Sequence, residues 1–82
     1  MVIVWDEPKR LANLDKHGLD FARLDPGFFL SAVVRASHSG RFLALNRHEG
    51  LPVAVVFRPL GSEAISLISL RPARVDDRRL IP

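Results

Sequence analysis

Apolar and polar positions divide this chain into a helical first part and a β-rich second part. Val2 to Trp5 is a short β-branched and aromatic run that predicts a first strand. From Asp6 to His17 the pattern turns helical, and both ends carry signals. Asp6 stands at the N-cap position, where its carboxylate can accept first-turn N–H groups, and Glu7 adds negative charge there. Pro8 falls in the first turn, where a missing N–H costs nothing. Lys16 and His17 lie in the last turn, where cations are favoured, and Gly18 can take the left-handed cap. Lys9, Asn13 and Lys16 follow at helical spacing and share one face, a polar stripe that a core helix does not need. Asp20 caps a second helical segment beginning at Phe21, and Asp25-Pro26 interrupts and restarts it. Phe28, Phe29 and Leu30 read as core residues that end this segment.

The remainder reads as sheet. Ala32 to Arg35 predicts a short strand, and residues 36–40 a loop. Arg41 to Arg47 and Leu51 to Arg58 predict strands joined through His48-Glu49-Gly50 as a hairpin. Pro52 lacks a donor, so that end lies at an edge or beside the turn. Val53 to Phe57 is continuously apolar, which predicts a central strand buried on both faces. Pro59 to Ser62 is a turn, Ala64 to Leu70 the next strand, and Pro72 its stop. Arg74 to Leu80 can form a short helix that needs a docking surface. Helices first and strands afterwards give an α+β class, with N-terminal helices packed on one face of an antiparallel meander of three or four strands. Residues 1–82 contain no repeat, linker or second domain.

Composition narrows the functional classes. A chain of 82 residues buries only about 60% of its unfolded surface, so a partner or a second copy would help it; a homodimer is plausible on this ground. There is no cysteine for a disulfide or a thiolate site, and three isolated histidines do not make a metal site. No apolar run approaches the roughly 18 residues of a membrane span. Met1 to Val4 leads into acidic residues and not into a cleavage site, so the opening does not read as a signal peptide, and a cytoplasmic protein is expected. Net charge is +3, and arginine outnumbers lysine ten to two. Arginine's planar fork suits phosphate and carboxylate, so nucleic acid and an acidic protein both fit. A solvated arginine-rich face explains the same counts.

The pattern Trp5-Asp6, Lys9, Asn13, Lys16-His17-Gly18 resembles the opening of the BrnT toxins, the ribonuclease halves of bacterial type II toxin–antitoxin pairs. Asp20-Phe21, Gly40-Arg41-Phe42, Ile68-Ser69-Leu70-Arg71-Pro72-Ala73 and Asp77-Arg78-Arg79 follow in that family's order. The resemblance implies a RelE-like fold and a metal-independent ribonuclease that arrests translation without a cofactor. It also implies a BrnA-like antitoxin with a ribbon-helix-helix module, and contact with operator DNA only through that complex. Two departures stand out. Ser37-His38-Ser39-Gly40 replaces a loop that is often acidic, and no aromatic residue follows Arg79. The alternative is therefore a catalytically degenerate binding module for antitoxin, another protein or nucleic acid.

RNA cleavage without a metal needs a base, an acid and cations at the crowded phosphate. Arg71, in the Ser-x-Arg-x-Ala motif, is the first candidate for stabilising transition-state charge; an exposed strand-end arginine, or one paired with Asp76, is the structural alternative. Arg41 matches the family's arginine at the start of a central strand, with a pair to Glu63 as its alternative. His17, at a helix end that stabilises an imidazolium, suits an acid or a phosphate binder, or simply caps the helix. Lys9, Lys16, Arg74 and Arg79 are the candidate RNA-binding cations, and Arg58 is a further residue that could supply positive charge. Asn13 is expected to make a structural contact. His38 and His48 are expected to be solvated.

Overall fold

A computed structural model describes all residues from Met1 to Pro82. Five strands, Val2–Trp5 (β1), Val33–Ala36 (β2), Phe42–His48 (β3), Leu51–Leu60 (β4) and Ala64–Pro72 (β5), form one sheet in the order β1-β5-β4-β3-β2. The helices are Glu7–His17 (α1), Pro26–Leu30 (α2) and Val75–Arg78 (α3), with a 3₁₀ turn at Phe21–Arg23. The α+β class holds, but the sheet is mixed. The antiparallel meander runs from β2 to β5, and β1 joins it in parallel, Val2 opposite Ala64 through Trp5 opposite Leu67. An apolar run such as Val2–Trp5 suits either pairing direction, so its sequence alone does not choose.

The β3–β4 hairpin turns on two residues, not three. Glu49 and Gly50 both have positive φ, 51° and 81°, as the tightest right-twisting hairpins require. His48 therefore belongs to β3 and pairs with Leu51. It is also not solvated: its side chain is 10% exposed, and its ring packs edge-on against Phe28. Pro52 sits beside the turn, opposite Arg47, where a missing donor is tolerated. β4 lies at the centre of the sheet, and Val53, Ala54 and Val55 are fully buried, as their unbroken apolar run demands.

Strand alternation gives the sheet two unlike faces. On one, Ala44, Val53, Val55, Phe57, Ile65, Leu67 and Leu70 meet Phe21, Leu24 and Phe28 from the segments after α1. Fully burying side chains of this size contributes roughly 1.5–3 kcal/mol each. Leu30, expected in this core, is instead 87% exposed, because α2 ends on it and only Phe28 points fully inward. On the other face Leu45 and Ala54 are covered by Ala73 and Ile81, which the chain brings back after α3. The rest of that face is open.

α1 has the start and stop expected of it, with one difference. Gly18 takes the left-handed cap, with φ of 69° and its N–H on the Leu14 carbonyl at 2.8 Å. Asp6 occupies the N-cap position, but its carboxylate caps no N–H. Asp20 does cap, accepting from the Ala22 N–H at 2.9 Å.

Candidate functional site

α1 turns its polar stripe inward. Its only buried residue is Asn13, while Leu11 and Leu14 are exposed. β1 pairs with β5 only as far as Leu67, so the edge of β5 beyond that point lacks a strand partner. Asn13 supplies one. Its side-chain amide donates to the Leu70 carbonyl at 2.8 Å and accepts from the Leu70 N–H at 3.0 Å; it also donates to the Leu19 carbonyl at 3.0 Å. This satisfies backbone groups that burial would otherwise leave unpaired. The expected structural role of Asn13 is thus observed, and the bonds fix α1 against β5.

The same register opens a cleft of about 240 Å³ lined by Lys9, Ala12, Asn13, Lys16, His17, Ile68 and Ser69. Three of the sequence candidates, Lys9, Lys16 and His17, therefore meet. The cleft carries cations, an imidazole and a hydroxyl, and no carboxylate. β5 bulges here, because Val56 pairs with Ser69 while Phe57 pairs with Leu67, leaving Ile68 as the extra residue. A bulge re-aims the side chains around it.

Arg71 lies two residues beyond Ser69, within β5 and not after it, on the same face. Its Nη1 donates to Asp77 Oδ2 at 3.1 Å and to the Pro72 carbonyl at 3.3 Å, and both side chains of the ion pair are 17% exposed. The partner is Asp77 rather than Asp76 because α3 turns Asp77 toward the sheet. There the carboxylate also accepts the Arg74 N–H at 3.1 Å. The guanidinium is thus fixed in place beside the cleft.

The other candidates lie apart. Arg74 stands at the N-cap of α3 and is exposed. Arg79 follows α3, 77% exposed and 4.0 Å from Asp76. Arg41 precedes β3 and makes no pair with Glu63; its Nε is buried without a hydrogen-bond partner. Strand spacing puts Arg41 roughly 15 Å from Arg71, two strands across and four residues along. His38 lies in the exposed β2–β3 turn, 3.3 Å from the Ser37 hydroxyl.

The sequence reading did not single out Ser69 or Arg35, and it named Arg58 only among the cations that could supply positive charge. Counting His48 as part of the turn hid the register. With a Glu49-Gly50 turn, Arg41 falls opposite Arg58, and the β2–β3 pairing brings Arg35 opposite Leu43, on the same face.

Two charged clusters on the helical side are structural. Arg10 holds Glu7 and Asp20, which raises the Arg10 guanidinium. The Asp20 carboxyl is held below its usual range, first by the Ala22 N–H and then by Arg10. Arg23 grips Glu49 at the hairpin tip and holds that carboxyl below its usual range as well.

Comparison with known proteins agrees with this architecture. Residues 5–77 match the family described as the ribonuclease toxin, BrnT, of type II toxin–antitoxin systems. The crystal structure of the Brucella abortus ribonuclease toxin BrnT, at 1.1 Å resolution, is similar at 52% identity with a TM-score of 0.85; the alignment covers 90% of this chain and 97% of that one. No curated protein matches the chain. The motif order along α1 and β5, the fold they build and the extent of both matches agree, and the chain belongs to the BrnT family of ribonuclease toxins of type II toxin–antitoxin systems.

Proposed function

We propose that this toxin cleaves RNA at the cleft between α1 and β5, and that loss of messenger RNA arrests translation. The observation that carries this reading is the meeting of Lys9, Lys16 and His17 with Ser69, beside an immobilised Arg71. In the reaction the 2′-hydroxyl gives its proton to solvent water and attacks the adjacent phosphorus, and the bond to the 5′-oxygen breaks. The products are a 2′,3′-cyclic phosphate and a 5′-hydroxyl end. Lys9 and Lys16 bind the phosphate, and His17 in its cationic form gives a proton to the leaving 5′-oxygen. Arg71 stabilises the charge that builds on the phosphoryl oxygens. Asp77 holds its fork in place, which reduces the ordering cost of that contact. The lining of cations and one imidazole supports chemistry without a metal or other cofactor. Arg74 and Arg79 contact the RNA backbone outside the cleft. Arg41, too distant for the same phosphate, engages the RNA away from the bond that breaks.

A type II toxin has an antitoxin partner. Here we take it to be BrnA-like, with a ribbon-helix-helix module through which the complex reaches operator DNA, acting in the cytoplasm. Residues 1–82 serve as one toxin domain, and pairing of two copies is compatible with the exposed Leu11 and Leu14. One observation favours the alternative of a degenerate binding module: the Arg71–Asp77 pair partly neutralises the cation assigned to catalysis.

Induced expression separates the two. Growth arrest with RNA cleavage, lost in a folded Arg71→Ala variant, supports the ribonuclease. Arrest that persists in that variant removes Arg71 from the mechanism. A soluble, folded wild-type protein that causes no arrest leaves only the binding module.

A further inference from the structure

An irregularity in β5 places one hydroxyl. Leu67 and Leu70 are both fully buried, and both belong to the core cluster that includes Phe21. In an unbroken strand, residues three apart face opposite sides. These two share a side because Ile68 is the extra residue of the bulge, with Phe57 pairing to Leu67 and Val56 to Ser69. In a regular strand of this sequence, Ser69 and Arg71 would follow Leu67 into the apolar core. The bulge instead brings Ser69 out, half-buried, into the cleft two residues before Arg71. It leaves one residue without a ladder partner, and such breaks gather where a side chain has to be re-aimed.

The hydroxyl so placed is unspent. Its neighbours are committed, Leu70 to Asn13 and Arg71 to Asp77, whereas the Ser69 hydroxyl makes no hydrogen bond within the chain. Among the side chains lining the cleft it is the one free acceptor. Lys9 and Lys16 only donate, and so does His17 in its cationic form. Ala12 and Ile68 are apolar, and the Asn13 carbonyl oxygen already accepts the Leu70 N–H. The cations grip phosphate, which RNA and DNA have in common. What RNA adds is the 2′-hydroxyl, whose proton needs an acceptor.

We propose that Ser69 is the residue that recognises ribose. Its Oγ accepts a hydrogen bond from the 2′-hydroxyl beside the scissile phosphate and holds that oxygen in line with the bond that breaks. This rests on the cleavage reading above and gives it a substrate-selecting group. As the 2′-oxygen attacks, its proton moves onto Oγ while the Oγ–H proton passes to solvent water. Ser69 ends neutral, and the net proton still goes to solvent. Because the contact aligns the attacking oxygen, it acts on the chemical step more than on binding. Lys9 and Lys16 hold either nucleic acid, so DNA enters the cleft as an inhibitor.

The test is steady-state cleavage of a transcribed messenger RNA, with single-stranded DNA of the same sequence as competitor. The proteins are wild type, Ser69→Ala, Ser69→Thr and His17→Ala, each checked for folding by circular dichroism and a thermal melt. Ser69→Ala is expected to lower kcat about tenfold, the effect of losing one such hydrogen bond, with KM changed by less than about twofold. The inhibition constant of DNA should keep its wild-type value, since DNA has no 2′-hydroxyl to lose the contact. Ser69→Thr keeps the hydroxyl on a side chain that strands favour, and is expected to recover most of the rate. Wild-type kcat in Ser69→Ala overturns the proposal, and an inactive His17→Ala then leaves the cleft reading standing without it. A loss that Ser69→Thr does not recover, or that weakens DNA binding equally, also overturns it and makes Ser69 only a part of the cleft wall. Undiminished cleavage in both Ser69→Ala and His17→Ala overturns the proposal and the cleft reading together.

Discussion

The two faces of the sheet are built from the same strands and do opposite things. One is filled by Phe21, Leu24 and Phe28 and reaches closure. The other closes only where Ala73 and Ile81 fold back onto Leu45 and Ala54, and then gives way to arginine, serine and half-buried aliphatic residues. In a domain this small, sealing one side of the sheet leaves few apolar groups for the other. The fold rests on the first face, and the second is free to carry charge.

The largest break in that comparison is on the sealed face. Phe21→Ala should destabilise by about 4 kcal/mol, because the ring is fully buried and meets Trp5 edge-on. Leu43→Ala on the open face should cost only about 1 kcal/mol, since that side chain is half-buried and not sealed in the core. Urea unfolding of the two variants gives both numbers; equal losses would show that the open face contributes to the core as much as the sealed one.

Asn13→Ala comes next, at about 3 kcal/mol, since it strands the buried N–H and carbonyl of Leu70 and the carbonyl of Leu19. Because those bonds also set the cleft, RNA cleavage should fall at temperatures where the variant is still folded. Unfolding curves beside cleavage rates check this, and full activity in a folded variant would detach the site from the clasp.

The smallest effect is electrostatic. The folded state holds the Asp20 carboxyl below the ordinary value of about 3.9. The unfolded chain thus takes up this proton first as the pH drops. The stabilisation from Asp20 is complete above about 3.9 and disappears as pH falls through the lower folded value. Asp20→Asn should be less stable than wild type at neutral pH and converge with it in acid. Thermal melts between pH 7 and 2 measure the gap; a gap that widens in acid would contradict the assignment.

Much of this was legible in the sequence because local rules and tertiary needs agreed. Gly18 and Pro8 each had one good solution, and the structure adopts it; the unbroken Val53–Phe57 run is central as expected and buried on both faces except at Val56, which is half-buried. The parallel pairing of β1 was not legible, since Val2 meets Ala64 across most of the chain and strand periodicity carries no direction. Nor was the bulge at Ile68, whose extra residue is visible only against a partner strand. For the candidate site, the helical spacing of Lys9, Asn13 and Lys16 identified one wall. The opposite wall at Ser69, and the Arg71–Asp77 pair, depend on contacts that no local spacing encodes. The place of Arg58 opposite Arg41 was hidden by a one-residue difference in hairpin length, which shifts the register of that pair, and the place of Arg35 by the β2–β3 pairing, which the hairpin does not set.

The bonds between Asn13 and Leu70 bridge 57 positions of the chain. One wall of the cleft is therefore made early and the other near the end, so a growing chain holds half a site until β5 pairs. Contacts of such long range form late, after the costly closure of a large loop. On the reading proposed above, a chain unfinished or clipped before β5 lacks one wall of the site and is expected to be harmless, with toxicity arriving only when the fold is complete.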